Sequence, residues 1–249
     1  MIDYLKIKES FYENGFAKVE KVLSKKEVNL IRSEIKKIII KKSKSLKPGE
    51  IHFAKKKVNT IHVLNKVSKF FKNLMNKKIF YNLAENIIGE KMQPQWVQLF
   101  AKPAKEGLET PAHQDNYYWC IKDSKTVTFW IALDKVNKTN GALYYYNKSH
   151  KLGRIAHQPS FAKGTSQMIK KSVLRKFKKK NKIITSASAG DLLVHHGDVV
   201  HGSSKNLSNQ SRRGISIWFK AKKAKINRTH LRQYKLSLKK QIQNIYYKN

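Results

Sequence analysis

The chain has 249 residues, 40% of them hydrophobic, with 11 Phe, 11 Tyr and 4 Trp, enough to bury one large domain or at most two small ones. It carries 53 basic against 16 acidic residues, a formal net charge of +37, and a single cysteine, Cys120, which excludes an internal disulfide and a cysteine-built zinc site. No stretch reaches the ~18 consecutive apolar residues of a membrane span, and Met1 to Ser10 lacks the apolar centre of a signal peptide, so a cytoplasmic, reducing setting is expected.

Residues 24–42 predict a helix. Ser24 and Glu27 have capping-box spacing, and Val28, Ile31, Ile35 and Ile38 recur at intervals of three, four and three. Residues 42–57 are polar and read as a loop turning at Pro48-Gly49. A second helix is predicted over about 67–88, carrying Phe70, Phe71, Leu74, Ile79, Leu83 and Ile87, with Gly89 as its stop. Beyond Gly89 come short segments rich in β-branched and aromatic residues, at 95–101, 126–133, 142–146, 183–186, 191–195 and 214–220. Several short strands behind N-terminal helices predict a mainly β fold with flanking α, a sandwich or jelly roll. Residues 160–181 form a basic insertion containing Gly164 and Lys178-Lys179-Lys180, expected as either a mobile lid or a solvated helix. Residues 221–249 predict a basic C-terminal helix with Leu231, Tyr234, Leu238 and Ile242 along one stripe.

The charge is unevenly spread. No acidic residue occurs between Lys135 and Gly190 or after Asp198, and those stretches hold 14 and 13 basic residues. Such a surface attracts nucleic acid, anionic lipid head groups or phosphorylated substrates. With 46 Lys to 7 Arg, a lysine-favouring composition accounts for the type of cation but less well for the missing acids.

His113-Gln114-Asp115 is the motif that carries chemistry. In a strand, residues i and i+2 share a face, so an imidazole and a carboxylate would meet there. One further imidazole completes a facial triad, which leaves positions for a bidentate co-substrate and dioxygen on a ferrous ion. His195, His196 and His201 can each supply it, although His195 and His196 also end an apolar strand and fit as partly buried residues. Arg212 follows His201 by eleven residues at a strand entrance. Its planar fork suits a carboxylate at two points, while Arg213 should face the other side. A lone surface Arg is the commoner reading; beside a triad, the co-substrate carboxylate becomes the better one.

Further motifs occur in order: Phe11-Tyr12-Glu13-Asn14-Gly15-Phe16, Asp115-Asn116, Trp130-Ile131-Ala132-Leu133-Asp134, Asn140-Gly141-Ala142-Leu143, Ser149-His150-Lys151-Leu152-Gly153, Gly190-Asp191, and His201-Gly202-Ser203 with Asn206 and Arg212. With these the chain resembles the phytanoyl-CoA dioxygenase family of iron(II)- and 2-oxoglutarate-dependent oxygenases, as far as about Phe219. The resemblance implies a double-stranded β-helix (jelly roll, cupin-like) with N-terminal helices. It implies iron held at His113, Asp115 and His201, and 2-oxoglutarate held by Arg212 and Ser203 with Gln98 and Trp130 in contact. It also implies hydroxylation with O2, releasing succinate and carbon dioxide. Trp130 fits equally as a core aromatic, and the Gln98 amide as a partner for backbone groups. Where the family has Pro-Gly, this chain has Asn147-Lys148, a departure that Asn tolerates better than Lys. Related halogenases lack the carboxylate ligand, so Asp115 argues against halogenation.

The expected organisation is a single oxygenase domain over 1–249: a mainly helical part at 1–90, a jelly-roll core at 91–220 with a basic insertion at about 155–182, and a basic helix at 221–249. Asn116, Tyr117, Tyr118 and His157 are expected substrate contacts from their nearness to the motifs. The positive surface favours an anionic small molecule, acyl-CoA, phosphonate, sugar or lipid, with peripheral contact at an anionic membrane and no specific nucleic-acid binding. The rival reading is a basic jelly roll that has lost catalysis and binds anionic membrane or nucleic acid.

Overall fold

The computed structural model describes residues 2–162 and 164–246. Helix α1 (Tyr4–Asn14) and strand β1 (Phe16–Val19) precede α2 (Lys25–Lys42). A hairpin of β2 (Ile51–Ala54) and β3 (Lys57–Ile61) leads to α3 (Leu64–Val67), α4 (Lys69–Met75) and α5 (Lys78–Ile88). Next come β4 (Met92–Lys102), β5 (Thr110–His113), the short α6 (Asn116–Trp119), β6 (Thr126–Ala132) and β7 (Leu143–Tyr146). They are followed by β8 (His157–Ala162), β9 (Thr165–Ile169), α7 (Lys171–Leu174) and β10 (Lys182–Ile184). The last elements are β11 (Leu192–His196), β12 (His201–Ser203), β13 (Arg212–Ala221) and α8 (Arg228–Tyr246).

A seven-stranded antiparallel sheet runs in the order β1-β11-β6-β13-β4-β3-β2, and a four-stranded one runs β10-β7-β12-β5. This is the mainly β architecture with flanking helices, a double-stranded β-helix, that the sequence implies. The central strands β6 and β13 and most of β4 and β11 are covered on both faces, so side-chain alternation divides each between two environments. On β13, Ile215, Ile217 and Phe219 join the core against the helices, while Arg212, Ser216 and Trp218 face a cavity between the sheets. On β4, Val97 and Leu99 face the helices and Gln98, Phe100 and Lys102 the cavity. The same rule sends Phe129 and Ile131 outward from β6, and Thr128 and Trp130 inward.

Helix α2 forms as its spacing predicts. Ser24 Oγ accepts from the Glu27 amide at 3.3 Å, the Glu27 carboxylate accepts from the Ser24 amide at 2.8 Å, and Val28, Ile31, Ile35 and Ile38 are buried. Full burial of such side chains contributes roughly 1.5–3 kcal/mol each.

Elsewhere the elements differ from expectation. The helix expected over 67–88 is two helices, because the Asn76 amide closes back on the carbonyls of Asn73 and Leu74 and ends α4. Part of the polar 42–57 stretch pairs as β2 and β3, and α1, β1 and the β2–β3 hairpin were not foreseen. The helical N-terminal part therefore also supplies three strands of the large sheet. In the basic insertion, β8 and β9 pair as an antiparallel hairpin around Gly164 (φ +82°), with α7 after it, in place of the solvated helix that was one of the two expected forms. Lys148, at the family's Pro-Gly position, adopts the left-handed conformation (φ 63°) itself. Residues 247–249 of the expected C-terminal helix lie outside the described residues.

Candidate active site

Strand register builds the metal centre. His201 on β12 pairs directly with His113 on β5, so the two rings lie side by side with centroids 4.3 Å apart. Asp115 does not share a strand face with His113 as expected: β5 ends at His113, and Asp115 has helical torsions (φ −61°, ψ −41°) at the start of α6. That turn still returns the carboxylate, with Asp115 Oδ1 3.5 Å from His113 Nε2 and 3.7 Å from His201 Nε2. Ligand atoms of all three residues lie within 4.8 Å of one another. Metal–donor bonds of about 2.1 Å at right angles put neighbouring donors roughly 3 Å apart, so little closure is needed.

The surrounding hydrogen bonds orient every donor. His113 Nδ1 donates to the Pro111 carbonyl at 2.8 Å and His201 Nδ1 to the Val199 carbonyl at 3.1 Å, which leaves each Nε2 lone pair facing the site. On Asp115, Oδ2 accepts from Thr128 Oγ1 at 2.8 Å and from His195 Nε2 at 3.1 Å, freeing Oδ1 for the metal. Burial alone would raise the Asp115 pKa; His201, His113 and His195, gathered around the carboxylate, outweigh it and hold the carboxyl well below its ordinary range. Burial, with His113 beside it, keeps the His201 imidazole neutral, the form that binds metal. The donor set and its partners fit a ferrous ion.

Of the three candidate histidines, His195 supports the carboxylate, its Nδ1 accepting the Tyr145 hydroxyl at 3.1 Å. Alternation turns His196 outward, where its Nδ1 accepts from the Asp198 amide at 3.0 Å. Burial pushes the His196 pKa down to about 4.

The triad opens on a cavity of about 460 Å³ that Gln98, Trp130, Ser203 and Arg212 also line. Arg212 is 1% exposed. It donates to the Gly141 and Phe100 carbonyls, leaves Nε without a partner, and stands 5.1 Å over the Trp130 ring. Burial lowers its pKa to about 9. Trp130 reaches this place because residue 214 is glycine; a Cβ there would stand 2.1 Å from Trp130 Cζ2. The Gln98 amide meets side chains rather than backbone, donating to His62 Nδ1 at 3.0 Å and accepting from Ser216 Oγ at 3.4 Å. Arg213 lies on the other face, as alternation requires, clamped by Asp134 at 2.8 and 2.9 Å.

Among the expected substrate contacts, Tyr118 lines the cavity; Asn116, Tyr117 and His157 do not. The Asn116 amide ties the following turn, donating to the Ile121 carbonyl and Ser124 Oγ. His157 accepts from the Gln114 amide at 3.1 Å and donates to the Ile155 carbonyl at 2.7 Å, with Tyr117 stacked 3.9 Å from its ring. Burial lowers the His157 pKa to about 3, so it serves as a neutral strut.

Several lining residues escaped sequence reasoning. Thr128 and Lys102 sit at inward positions of strands whose apolar neighbours set the visible pattern. Tyr234, Leu238 and Gln241 reach the cavity from α8. Tyr234 packs edge-on against Tyr118 (5.7 Å), and Tyr118 in turn against His113 (5.7 Å). The stripe through Leu231, Tyr234, Leu238 and Ile242 was the available signal, and it reads as ordinary helix packing. Among the described residues no helix is long and apolar enough to cross a membrane.

Comparison with known proteins bears on this site. The profile of the family described as phytanoyl-CoA dioxygenase (PhyH) matches residues 11–214. The chain is 27% identical over 157 residues to a phytanoyl-CoA dioxygenase of Arabidopsis thaliana, covering 63% of this chain and 54% of that protein. It is 24% identical over 231 residues to the peroxisomal phytanoyl-CoA dioxygenase of Bos taurus, covering 86% of this chain and 68% of that protein. The chain thus spans about half the length of the plant relative and about two thirds of the bovine one. In fold it is similar to EctD from S. alaskensis, solved with 2-oxoglutarate and 5-hydroxyectoine, with a TM-score of 0.75 at 16% identity over 91% of this chain and 78% of that one.

Proposed function

The chain belongs to the phytanoyl-CoA dioxygenase family of iron(II)- and 2-oxoglutarate-dependent oxygenases, and from that premise we propose that it hydroxylates a C–H bond of a small molecule. The observation that carries this reading is the division of labour on Asp115, whose Oδ2 is engaged by Thr128 and His195 while Oδ1 faces the Nε2 atoms of His113 and His201. His113, Asp115 and His201 would hold ferrous iron. Arg212 and Ser203 would take the distal carboxylate of 2-oxoglutarate, with Trp130 and Gln98 bounding it. When bound, iron with 2-oxoglutarate and dioxygen supplies the oxidising chemistry that turns C–H into C–OH, with succinate and carbon dioxide as co-products. The chain's own contribution is placement. The Nδ1 hydrogen bonds fix both imidazoles, Thr128 and His195 fix the carboxylate, and Tyr118, Tyr234 and Leu238 wall off water above the site.

The substrate presents an uncharged reacting segment to the metal and keeps its negative charge outside the cavity. Supporting this, among the described residues the charged side chains of the lining, histidines aside, are Asp115, Lys102 and Arg212. The last two are register partners at one end. The rest of the wall mixes neutral polar side chains with Tyr118, Trp119, Trp218, Tyr234 and Leu238. Outside, α8 exposes Arg232, Lys235 and Lys239, a surface suited to a phosphate or carboxylate, free in solution or on an anionic membrane. A retired binding module has no comparable support, because a site relieved of catalysis gains nothing from oriented donors and a buried Arg212 with an unpartnered Nε.

The test is succinate release with iron and 2-oxoglutarate across matched neutral and anionic substrate classes, free and in anionic vesicles. Turnover should stop on chelation, on omission of 2-oxoglutarate, and in Asp115→Ala. Succinate release that survives any of the three refutes the assignment.

A further inference from the structure

Helix α8 presents two different faces. Tyr234, Leu238 and Gln241 turn inward and line the cavity. At 3.6 residues per turn, Arg228, Arg232, Lys235 and Lys239 fall within about 60° of one another on another face, and all four are exposed. Carboxylates three or four residues away would relieve such a row of like charges. The chain has no acidic residue after Asp198, and among the described residues no ion pair includes any of the four.

Apolar side chains flank the row. Leu231 and Leu236 line a surface groove together with the four cations. Leu236 is 59% exposed, and Ile242, on the side nearer the cavity, is 39% exposed while also lining it. A row of free cations suits a surface dense in phosphate. The flanking side chains add something that nucleic acid does not use, because burying them requires an apolar phase behind the charge. An anionic bilayer offers both, phosphate head groups over hydrocarbon. Since the inward stripe of α8 is committed to the cavity, the helix would lie on the head groups by charge and insert only these few side chains. Such attachment is reversible and weakened by salt.

We infer that the outer face of α8 docks on an anionic phospholipid bilayer, with the flank at Ile242 bringing the cavity to the head groups. This rests on the function proposed above, in which the substrate keeps its negative charge outside the cavity, and names the bilayer as the source of that substrate.

Vesicle flotation of the full chain reads docking without turnover. At about 0.15 M salt, wild-type protein should float with phosphatidylcholine vesicles containing about one third phosphatidylserine, and not with phosphatidylcholine alone. Each cation near such a surface is worth about fivefold in affinity. Combining Arg228→Gln, Arg232→Gln, Lys235→Gln and Lys239→Gln should therefore weaken binding at least about 50-fold. The control combines Lys25→Gln, Lys26→Gln, Lys36→Gln and Lys41→Gln at exposed positions of α2. The same loss of charge there should cost less than about fivefold. Equal losses in the two variants would mean that net charge alone attracts the protein, and would overturn the inference. Leu236→Ser separates lipid from nucleic acid: it should weaken vesicle binding about three- to tenfold and leave binding to a DNA duplex as in wild type. Duplex binding that falls as steeply as vesicle binding in the α8 variant, with neither changed by Leu236→Ser, assigns the face to nucleic acid instead. Wild-type protein that docks on vesicles yet releases no succinate with any lipid or soluble substrate refutes the catalytic reading, a distinct result.

Discussion

Asp115 can serve as a ligand of defined orientation because one of its oxygens is already occupied. Thr128 donates to Oδ2 at 2.8 Å and His195 at 3.1 Å, and the carboxylate can then turn only Oδ1 toward the imidazoles. Replacing Thr128 by Val removes one of these donors with almost no change in shape. Partners of this kind are typically worth about 10- to 100-fold in metal affinity. Thr128→Val should therefore weaken Mn(II) or Fe(II) binding by roughly tenfold, read by metal titration, with the thermal transition little moved. Affinity equal to wild type would mean that Thr128 does not orient the ligand. The two ligand motifs were legible because His-x-Asp and His-Gly-Ser are local patterns. The supporting pair was not, because Thr128 and His195 lie 13 and 80 residues from Asp115 and meet it only through strand pairing.

Among elements, α8 and the β8–β9 hairpin form one unit over the cavity. Gln241 is 3% exposed, and its amide clips the hairpin backbone, accepting from the Phe161 amide at 2.8 Å and donating to the Ala162 carbonyl at 3.5 Å. Ser237 donates to the Gln167 side chain at 2.7 Å, and the Tyr118 hydroxyl donates to the Gln167 carbonyl at 3.0 Å. Removing the clip leaves the Phe161 amide without its acceptor and loosens the roof locally, since such units open independently of the global fold. Gln241→Ala should speed amide exchange across 157–169 at least tenfold while the amides of β6 and β13 keep wild-type protection. Uniform exchange change, or none, would remove α8 as a latch. This unit shows where the sequence was opaque. The apolar stripe of α8 was plain, but β8 and β9 carry Gln158, Ser160, Thr165, Ser166 and Gln167 and lack the apolar alternation of a strand. Helix α2, by contrast, announced itself through its cap and spacing, both local features.

Among the described residues, few of the charges behind the formal +37 line the cavity, which explains why composition spoke of partners while only the motifs spoke of chemistry. Charge along the chain reveals attraction; it does not reveal which cations fold inward, as Lys102 does. Burial also sets an acid limit on stability through imidazoles that stay uncharged. His62, His157 and His196 have pKa values lowered by burial to about 4, 3 and 4, against an ordinary 6.5. Below about 6.5 the unfolded chain protonates these imidazoles and the folded one does not, so the unfolded state binds more protons and stability falls as pH falls. Each group contributes at most about 1.4 kcal/mol per pH unit across that window. Above the ordinary value both states leave the rings neutral, and the contribution is complete. The melting temperature should therefore be flat between pH 7 and 8 and decline steeply from 6.5 to 4.5. That range lies above the ordinary carboxylate values, where Glu13 and Glu27, held at about 2 by their lysine partners, begin to add their own loss. His157→Gln, which keeps a donor and an acceptor without a titrating ring, should shallow the decline. A melting temperature that stays level down to pH 4.5, or rises, would show that these histidines are protonated in the folded protein and that the interior around them is not as dry as the packing implies.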